Sequence, residues 1–459
     1  MVSTTTLKEL EKLAERSLRV IGPSDIQGEA RVQGSKNIVN KIIAAMIAMP
    51  GNYEIHNFPL MLDALQLLCI LEDLCATVRI DAEHHITYID TTSLQSKPIP
   101  YARTKSSTGA FGFAGAMLGR FGEVQIGKPG GDRIGARPVD LHVAAFRALG
   151  ADIEERPEGV QGQVTVLTAD TPFTMRVPST GAAVNFILAI VAAKQQGTLK
   201  NAPIDSDMIA LYQFLESAGV QIKVSGTTVR IDATCIKLPA KRFHYVCPPD
   251  RNDGFTWLAY GALSRSGLTV KGMCISDVRH GIDALLRIGV EITSRSGSLF
   301  VKSGTLSKAH AHQLTFIAGV ATEFHSDWAP LLEAVLVTVP GDTRVVDSLF
   351  SDRVRQAEIL QDMGAHIRIH GGPAPNGIKL HFTTDPMSAR YIVDIHGPTA
   401  LKPIRAAVGY DVRACAAAVL ATTQADGESV LTDIKALYRG YENIVKRLQA
   451  VGVDIDYAQ

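Results

Sequence analysis

The strongest constraint on the fold of this 459-residue chain is an internal repeat, in which two phrases alternate six times. One phrase is helical, closes on a small residue and runs into a short alternating strand. It reads LEDLCATVRI at 71–80, FRALGADIEE at 146–155, FLESAGVQIKV at 214–224, LLRIGVEITS at 285–294, ILQDMGAHIRI at 359–369 and RLQAVGVDIDY at 447–457. A glycine just past a helix supplies the left-handed backbone that ends it. The other phrase is an Ala-rich apolar run that stops at Gly51, Gly122, Gly197, Gly267, Gly341 or Gly427 and continues as a strand. Each unit is therefore a buried-type helix, a turn, a strand, an amphipathic helix, a turn and another strand, recurring roughly every 70 to 85 residues.

Six such units exceed what one compact core holds, so the economical arrangement is an α/β fold of two lobes with three units each. The boundary is expected near HYVCPPDRNDG at 244–254, where two prolines interrupt. The expected division is an N-terminal extension helix at 1–18, a first lobe at 35–248, and a second lobe at 19–34 plus 249–459. The strand near 18–33 lies outside the first unit and is free to complete the second lobe.

Lys+Arg and Asp+Glu both total 46, so no global charge points to nucleic acid or an anionic membrane. No stretch approaches 18 uncharged apolar residues, which argues against a transmembrane span. The N-terminal MVSTTTLKELEKLAERSLRV is a charged amphipathic pattern without the apolar region of a secretory signal. The six cysteines are scattered without a CxxC pair, so a reduced, cytoplasmic protein is expected. No His/Cys/carboxylate group has ligand spacing, and neither a metal nor a cofactor is expected.

Counting back about 15 residues from each glycine finds the starts of the buried helices: GSKN (34–37), KSSTG (105–109), PSTG (178–181), DRNDG (250–254), HSDW (325–328) and GYDVR (409–413). Ser, Thr, Asp and Gly suit helix N-caps. Each start also carries a partial positive charge and free N–H groups, and Lys36 and Arg413 add full charges. If two lobes face each other, these starts could converge on an anion. The stretch 127–142 fits neither a dinucleotide-binding glycine pattern nor a Walker loop.

GSKN, PGGDRIGARPVDLH, FHSD and YRGYE, in this order, resemble the enolpyruvyltransferase family. The resemblance spans about residue 19 to 457. It implies two inside-out α/β barrel lobes, each a three-fold repeat, closing over a cleft. The implied reaction moves the enolpyruvyl group of phosphoenolpyruvate to the 3-hydroxyl of UDP-N-acetylglucosamine, the first committed step of peptidoglycan synthesis. By the resemblance, Lys36 and Asn37 contact phosphoenolpyruvate and the sugar. Arg137 meets phosphate, Arg413 and Arg439 grip carboxylate and phosphate, and Arg353 is a further cation. Asp327 is the candidate general base and Asp411 a second carboxylate beside phosphoenolpyruvate. Arg137, Pro138, Val139, Asp140 and Leu141, with Val177, Pro178, Ser179 and Thr180, match the uridine-diphosphate platform. Leu349 matches a backbone contact to the sugar nucleotide.

The chain departs from the family in three places. Asp132 stands where most members carry the cysteine alkylated by fosfomycin; it is expected to be the general acid and to confer insensitivity to that drug. A carboxyl has a reference pKa near ~4, so this role requires the site to raise it. Thr108 and Gly112 stand where the family usually has arginine and tryptophan. Asp205 and Asp207 replace a Glu-Pro-Glu pattern. Another uridine nucleotide acceptor, or a catalytically silent sugar-nucleotide-binding homologue, therefore remains an alternative.

Overall fold

The Ala-rich runs have no polar face, so as helices they are stable only when surrounded on all sides. The computed structural model describes residues 2–105, 107–132, 134, 138–237, 241–304, 314–320, 324–375 and 377–458. It contains two units. One comprises Met1–Glu9, Gly34–Gly131 and Arg137–Pro248; the other comprises Leu10–Gln33, Asp132–Ala136 and Pro249–Gln459.

In the first unit the core helices are Lys36–Ala48, Phe113–Phe121 and Thr180–Ala192, packed against one another. The second and third approach backbone to backbone. A Cβ at Gly115 would lie 2.0 Å from the Asn185 carbonyl oxygen, and one at Gly119 would lie 2.2 Å from that of Ala189. Asn185, fully buried, ties this crossing together: its Oδ1 accepts from the Gly115 N–H at 2.8 Å and its amide donates to the Phe111 carbonyl at 3.1 Å. In the second unit the core helices are Arg251–Leu263, Ala329–Leu336 and Val412–Thr422, again in mutual contact. Every residue of all three is buried.

One sheet follows each core helix, always with the same pairing. The strand after the helix has a parallel neighbour on one side and an antiparallel one on the other, and the latter carries a further antiparallel strand. In the first unit these leading strands are Asn52–His56, Glu123–Gly127 and Gln196–Lys200. Phe243–Val246, the Ile99 bridge to Ile126, and Phe173–Thr174 are their respective parallel neighbours. The second unit repeats the pattern on Gly267–Lys271, Gly341–Asp347 and Gly427–Thr432. Its pairing uses the beginning of the chain: Gln27–Arg31 runs parallel to Gly267–Lys271, and Leu18–Gly22 lies between Gly427–Thr432 and Asp454–Tyr457. The preceding helix, Val2–Ala14, buries Leu7 and Ala14.

The amphipathic helices stop as the repeat predicts. Gly150, Gly219, Gly289, Gly364 and Gly452 have φ of 84, 90, 91, 95 and 87°. The first copy places Cys75 at φ 73° in the same role, at a cost of about 1–2 kcal/mol for an L side chain. Among the described residues no helix is long and apolar enough to cross a membrane.

Candidate active site

In the second unit the starts of the core helices gather charged side chains. Asp250 and Asp411 cap the fourth and sixth helices, Asp411 accepting from the Arg413 N–H at 2.8 Å. The fifth start differs from the Ser/Asp expectation, because the cap is the His325 imidazole, whose Nδ1 accepts from the Asp327 N–H at 3.0 Å. The Asp327 carboxylate is thereby released from capping. Its Oδ1 accepts from Arg353 Nη1 at 2.8 Å, and its Oδ2 accepts from Arg413 Nη2 at 3.3 Å and Asn252 Nδ2 at 3.2 Å. Burial pushes the Asp327 carboxyl up, but Arg353 and Arg413 outweigh it and hold the group well below the ordinary carboxylate range.

Arg353 is an organiser of this cluster. Its Nε and Nη2 donate to Asp411 at 3.0 and 3.4 Å, and its Nη1 also reaches Ser326 Oγ at 3.2 Å. Its side chain is only 1% exposed. Ser326 in turn donates to Asp347 at 2.6 Å, and Asp347 accepts the N–H groups of Leu349 and Phe350 at 2.9 and 3.0 Å. The Leu349 N–H, part of the expected backbone contact, is thus engaged within the unit. Arg413 donates from Nη1 to Tyr441 Oη at 3.0 Å. Glu333, on the fifth core helix, accepts from Gln356 Nε2 at 3.0 Å, and burial pushes its carboxyl up to about 8.

The same unit holds Asp132. Its Oδ1 accepts from Arg439 Nη1 at 2.5 Å, and Arg439 also donates to the Tyr410 carbonyl at 3.3 Å. Asp132 and Arg439 are separated by 307 residues of chain, so no local pattern could have paired them. Arg353 and Asp411 line a cavity of about 270 Å³ whose wall includes Arg355, Arg390 and Tyr410. Arg137 lies outside the described residues.

In the first unit a cavity of about 310 Å³ is lined by Lys36, Asn37, Pro138 and Ser179, together with Asn40, Lys41, Asp63, Thr108, Gly112 and His142. Ser35 and Ser179 cap the first and third core helices at its edge. Lys36 Nζ is 3.3 Å from Asp63, and Lys41 Nζ donates to the Asn37 carbonyl at 2.9 Å. A Cβ on Gly112 would meet only Val184 Cγ1 at 3.7 Å and Ala44 Cβ at 3.9 Å, ordinary contacts that a small side chain could make. His142 packs edge-on to Phe111 with ring centroids 4.8 Å apart, and burial holds its pKa down to about 4.

The remaining residues of the expected nucleotide platform surround the helix starts. Asp140 and Leu141 open the helix Asp140–Ala148, with Val139 as its buried N-cap. Asp140 is occupied by Arg176 at 2.9 Å. Val177 and Pro178 precede Ser179, and Thr180 begins the third core helix. Asn252, His325 and Tyr441 were not singled out in the sequence, although each lies in a quoted motif. Asn40, Lys41 and Asp63 carried no comparable signal, because a lone polar residue on an apolar helix has many explanations.

Comparison with known proteins bears on the family and the fold. Residues 20–448 match the EPSP synthase (3-phosphoshikimate 1-carboxyvinyltransferase) family. The chain is 28% identical to UDP-N-acetylglucosamine 1-carboxyvinyltransferase 2 of Streptococcus thermophilus, over 96% of this chain and 99% of that protein. It is 31% identical to the protein of the same name from Lactococcus lactis, over the same shares. Among solved structures it resembles the enolpyruvyl transferase NikO from Streptomyces tendae, with TM-score 0.80 and 20% identity, covering 97% of this chain and 99% of that one. EPSP synthase from Acinetobacter baumannii follows at TM-score 0.70 and 15% identity, covering 97% and 100%. The match over residues 20–448 and the near full-length similarity to these relatives make this chain a member of the EPSP synthase family of enolpyruvyltransferases.

Proposed function

We propose that this enzyme transfers the enolpyruvyl group of phosphoenolpyruvate to the 3-hydroxyl of UDP-N-acetylglucosamine and releases phosphate, as in the committed step of peptidoglycan synthesis. The observation that carries the reading is Asp327, a half-buried carboxylate kept ionised between Arg353 and Arg413. In this mechanism the acceptor hydroxyl attacks C2 of phosphoenolpyruvate and gives its proton to Asp327, while Asp132 delivers a proton to C3. The tetrahedral ketal then loses the C3 proton and the C2–O bond to phosphate, restoring the double bond.

Both carboxylates are ion-paired before substrate arrives, which makes Asp327 a weak base and keeps Asp132 ionised, without a proton to donate. An incoming phosphate and carboxylate compete for Arg439 and Arg413, whose planar forks suit both groups. As those arginines turn to the substrate, Asp132 and Asp327 lose compensating charge and their proton affinity rises. The anion thus poises its own acid and base. Arg353, saturated by Asp411, Asp327 and Ser326, serves as a positioning residue, with Asp411 as its anchor. Lys36 and Asn37 contribute a cation and an amide to the substrates from the first unit. There Arg137, Pro138, Val139, Asp140, Leu141, Val177, Pro178, Ser179 and Thr180 are assigned to the uridine nucleotide, and in the second unit Leu349 is assigned to a backbone contact.

A second reading is favoured by Thr108 and Gly112 in the first unit's cavity: a uridine nucleotide without the sugar, such as UMP, as acceptor. Phosphate release from phosphoenolpyruvate, measured separately with UDP-N-acetylglucosamine, UMP and shikimate 3-phosphate, decides between them. Release with the first supports the main reading, and release with UMP alone supports the second. Release with none overturns both.

A further inference from the structure

Two neighbouring strands of the first unit set a carboxylate and two imidazoles side by side, none of them used in the chemistry above. Asn52–His56 and Phe243–Val246 run parallel, with Glu54 opposite His244 and His56 opposite Val246. The two-residue period of a strand puts Glu54 and His56 on one face, while Tyr53 and Ile55 are buried on the other and anchor the backbone. Glu54 Oε1 is the point of convergence, 2.8 Å from His56 Nε2 and 3.4 Å from His244 Nδ1. One ligand atom from each of the three residues lies within 4.8 Å of the others. Glu54 Oε2 is turned away and held by Arg242 Nη1 at 3.1 Å.

We propose that Glu54, His56 and His244 form a binding site for a divalent transition-metal ion of the Zn²⁺ class. Tetrahedral coordination with bonds of about 2.0–2.1 Å places ligand atoms roughly 3.3 Å apart. The two separations to Oε1 straddle that spacing, so small side-chain rotations admit the ion. Two imidazoles and one carboxylate suit a borderline ion such as Zn²⁺ rather than Ca²⁺ or Mg²⁺, which favour oxygen ligands. Arg242 supplies the outer hydrogen bond that fixes the carboxylate's orientation. Three protein ligands leave the fourth position to water.

The location gives the ion a structural consequence. Phe243–Val246 is an edge strand whose ladder partner is Asn52–His56, and the chain leaves the first unit two residues later, after Pro248. An ion bridging Glu54 and His56 to His244 staples this short edge strand to its neighbour.

Isothermal titration of ZnCl₂ into the chelator-treated full chain tests this, with exposed Cys235 and Cys274 replaced by serine in every version to remove thiol ligands. The parent is expected to bind one Zn²⁺ and to gain melting temperature with added Zn²⁺. His56→Ala and His244→Ala should each weaken binding at least tenfold and lose that gain, whereas His84→Ala, at an unrelated surface pair with Asp81, should behave as the parent. Circular dichroism confirms that each variant is folded, and His244→Asn replaces any alanine variant that is not. A parent that takes up no Zn²⁺, or histidine variants that bind it as the parent does, would overturn the proposal.

Discussion

Replacing Glu333 by glutamine is expected to stabilise the second unit, by an amount that grows with pH. Glu333 is 2% exposed, and burial, reinforced by nearby Asp347 and Asp411 against Arg353, raises its carboxyl from an ordinary 4.5 to about 8. Below pH 4.5 folded and unfolded chains both hold the proton, and the group is neutral to stability. Above it the unfolded chain releases the proton while the folded chain retains it, so stability falls by about 1.4 kcal/mol per pH step until the folded group also ionises. The cost is about 3 kcal/mol at pH 7 and levels near 5 kcal/mol above pH 8. Glu333→Gln keeps an acceptor for Gln356 at nearly the same volume and removes the titration. Both tryptophans, Trp257 and Trp328, belong to the second unit, so their fluorescence during urea unfolding reports this unit. The variant should match the parent near pH 4.5 and exceed it by about 3 kcal/mol at pH 7. A difference that is flat with pH, or that favours the parent at pH 8, would refute the reasoning.

Four further outcomes follow. Asp132→Asn keeps the shape but cannot donate the proton, so turnover in a phosphate-release assay should fall about 10²–10⁴-fold. The native chain, lacking a thiol at that position, should show no time-dependent inactivation by fosfomycin. Cys75→Gly relieves the left-handed strain at φ 73° and loses the 3.0 Å contact from Lys97 Nζ, for a net gain of about 0.5–1 kcal/mol in urea unfolding; unchanged or lower stability would count against the strain argument. Arg353→Gln leaves buried Asp411 without its arginine, while half-buried Asp327 keeps Arg413, and should cost about 3 kcal/mol in tryptophan-detected unfolding. A smaller loss there would show that the cluster relaxes.

The repeat was legible because its punctuation is chemical. Gly150, Gly219, Gly289, Gly364 and Gly452 mark helix ends in the sequence and adopt positive φ in the structure. The apolar runs had to be interior helices, since they have no face to offer water. Pairing was less legible, because periodicity shows that a strand exists and not what lies beside it. Leu18–Gly22 finds its neighbours more than 400 residues away, in Gly427–Thr432 and Asp454–Tyr457. Ion pairs have the same limit: Lys36, Asp132, Asp327, Arg413 and Arg439 stood out as residues through their motifs, but their partners come from tertiary structure. The fifth helix start shows how local rules mislead, since Ser326 and Asp327 looked like caps and His325 does the capping. Glu333 was invisible for a related reason: one carboxyl in an apolar helix gives no sign of whether it is solvated, paired or protonated.

The reaction itself is tested most directly by mass spectrometry of the nucleotide after incubation of the chain with phosphoenolpyruvate and UDP-N-acetylglucosamine, with released phosphate measured in parallel. The account predicts that UDP-N-acetylglucosamine is converted to its enolpyruvyl ether in equal amount to the phosphate released. Phosphate released while the nucleotide stays unaltered, or no phosphate at all, would contradict it.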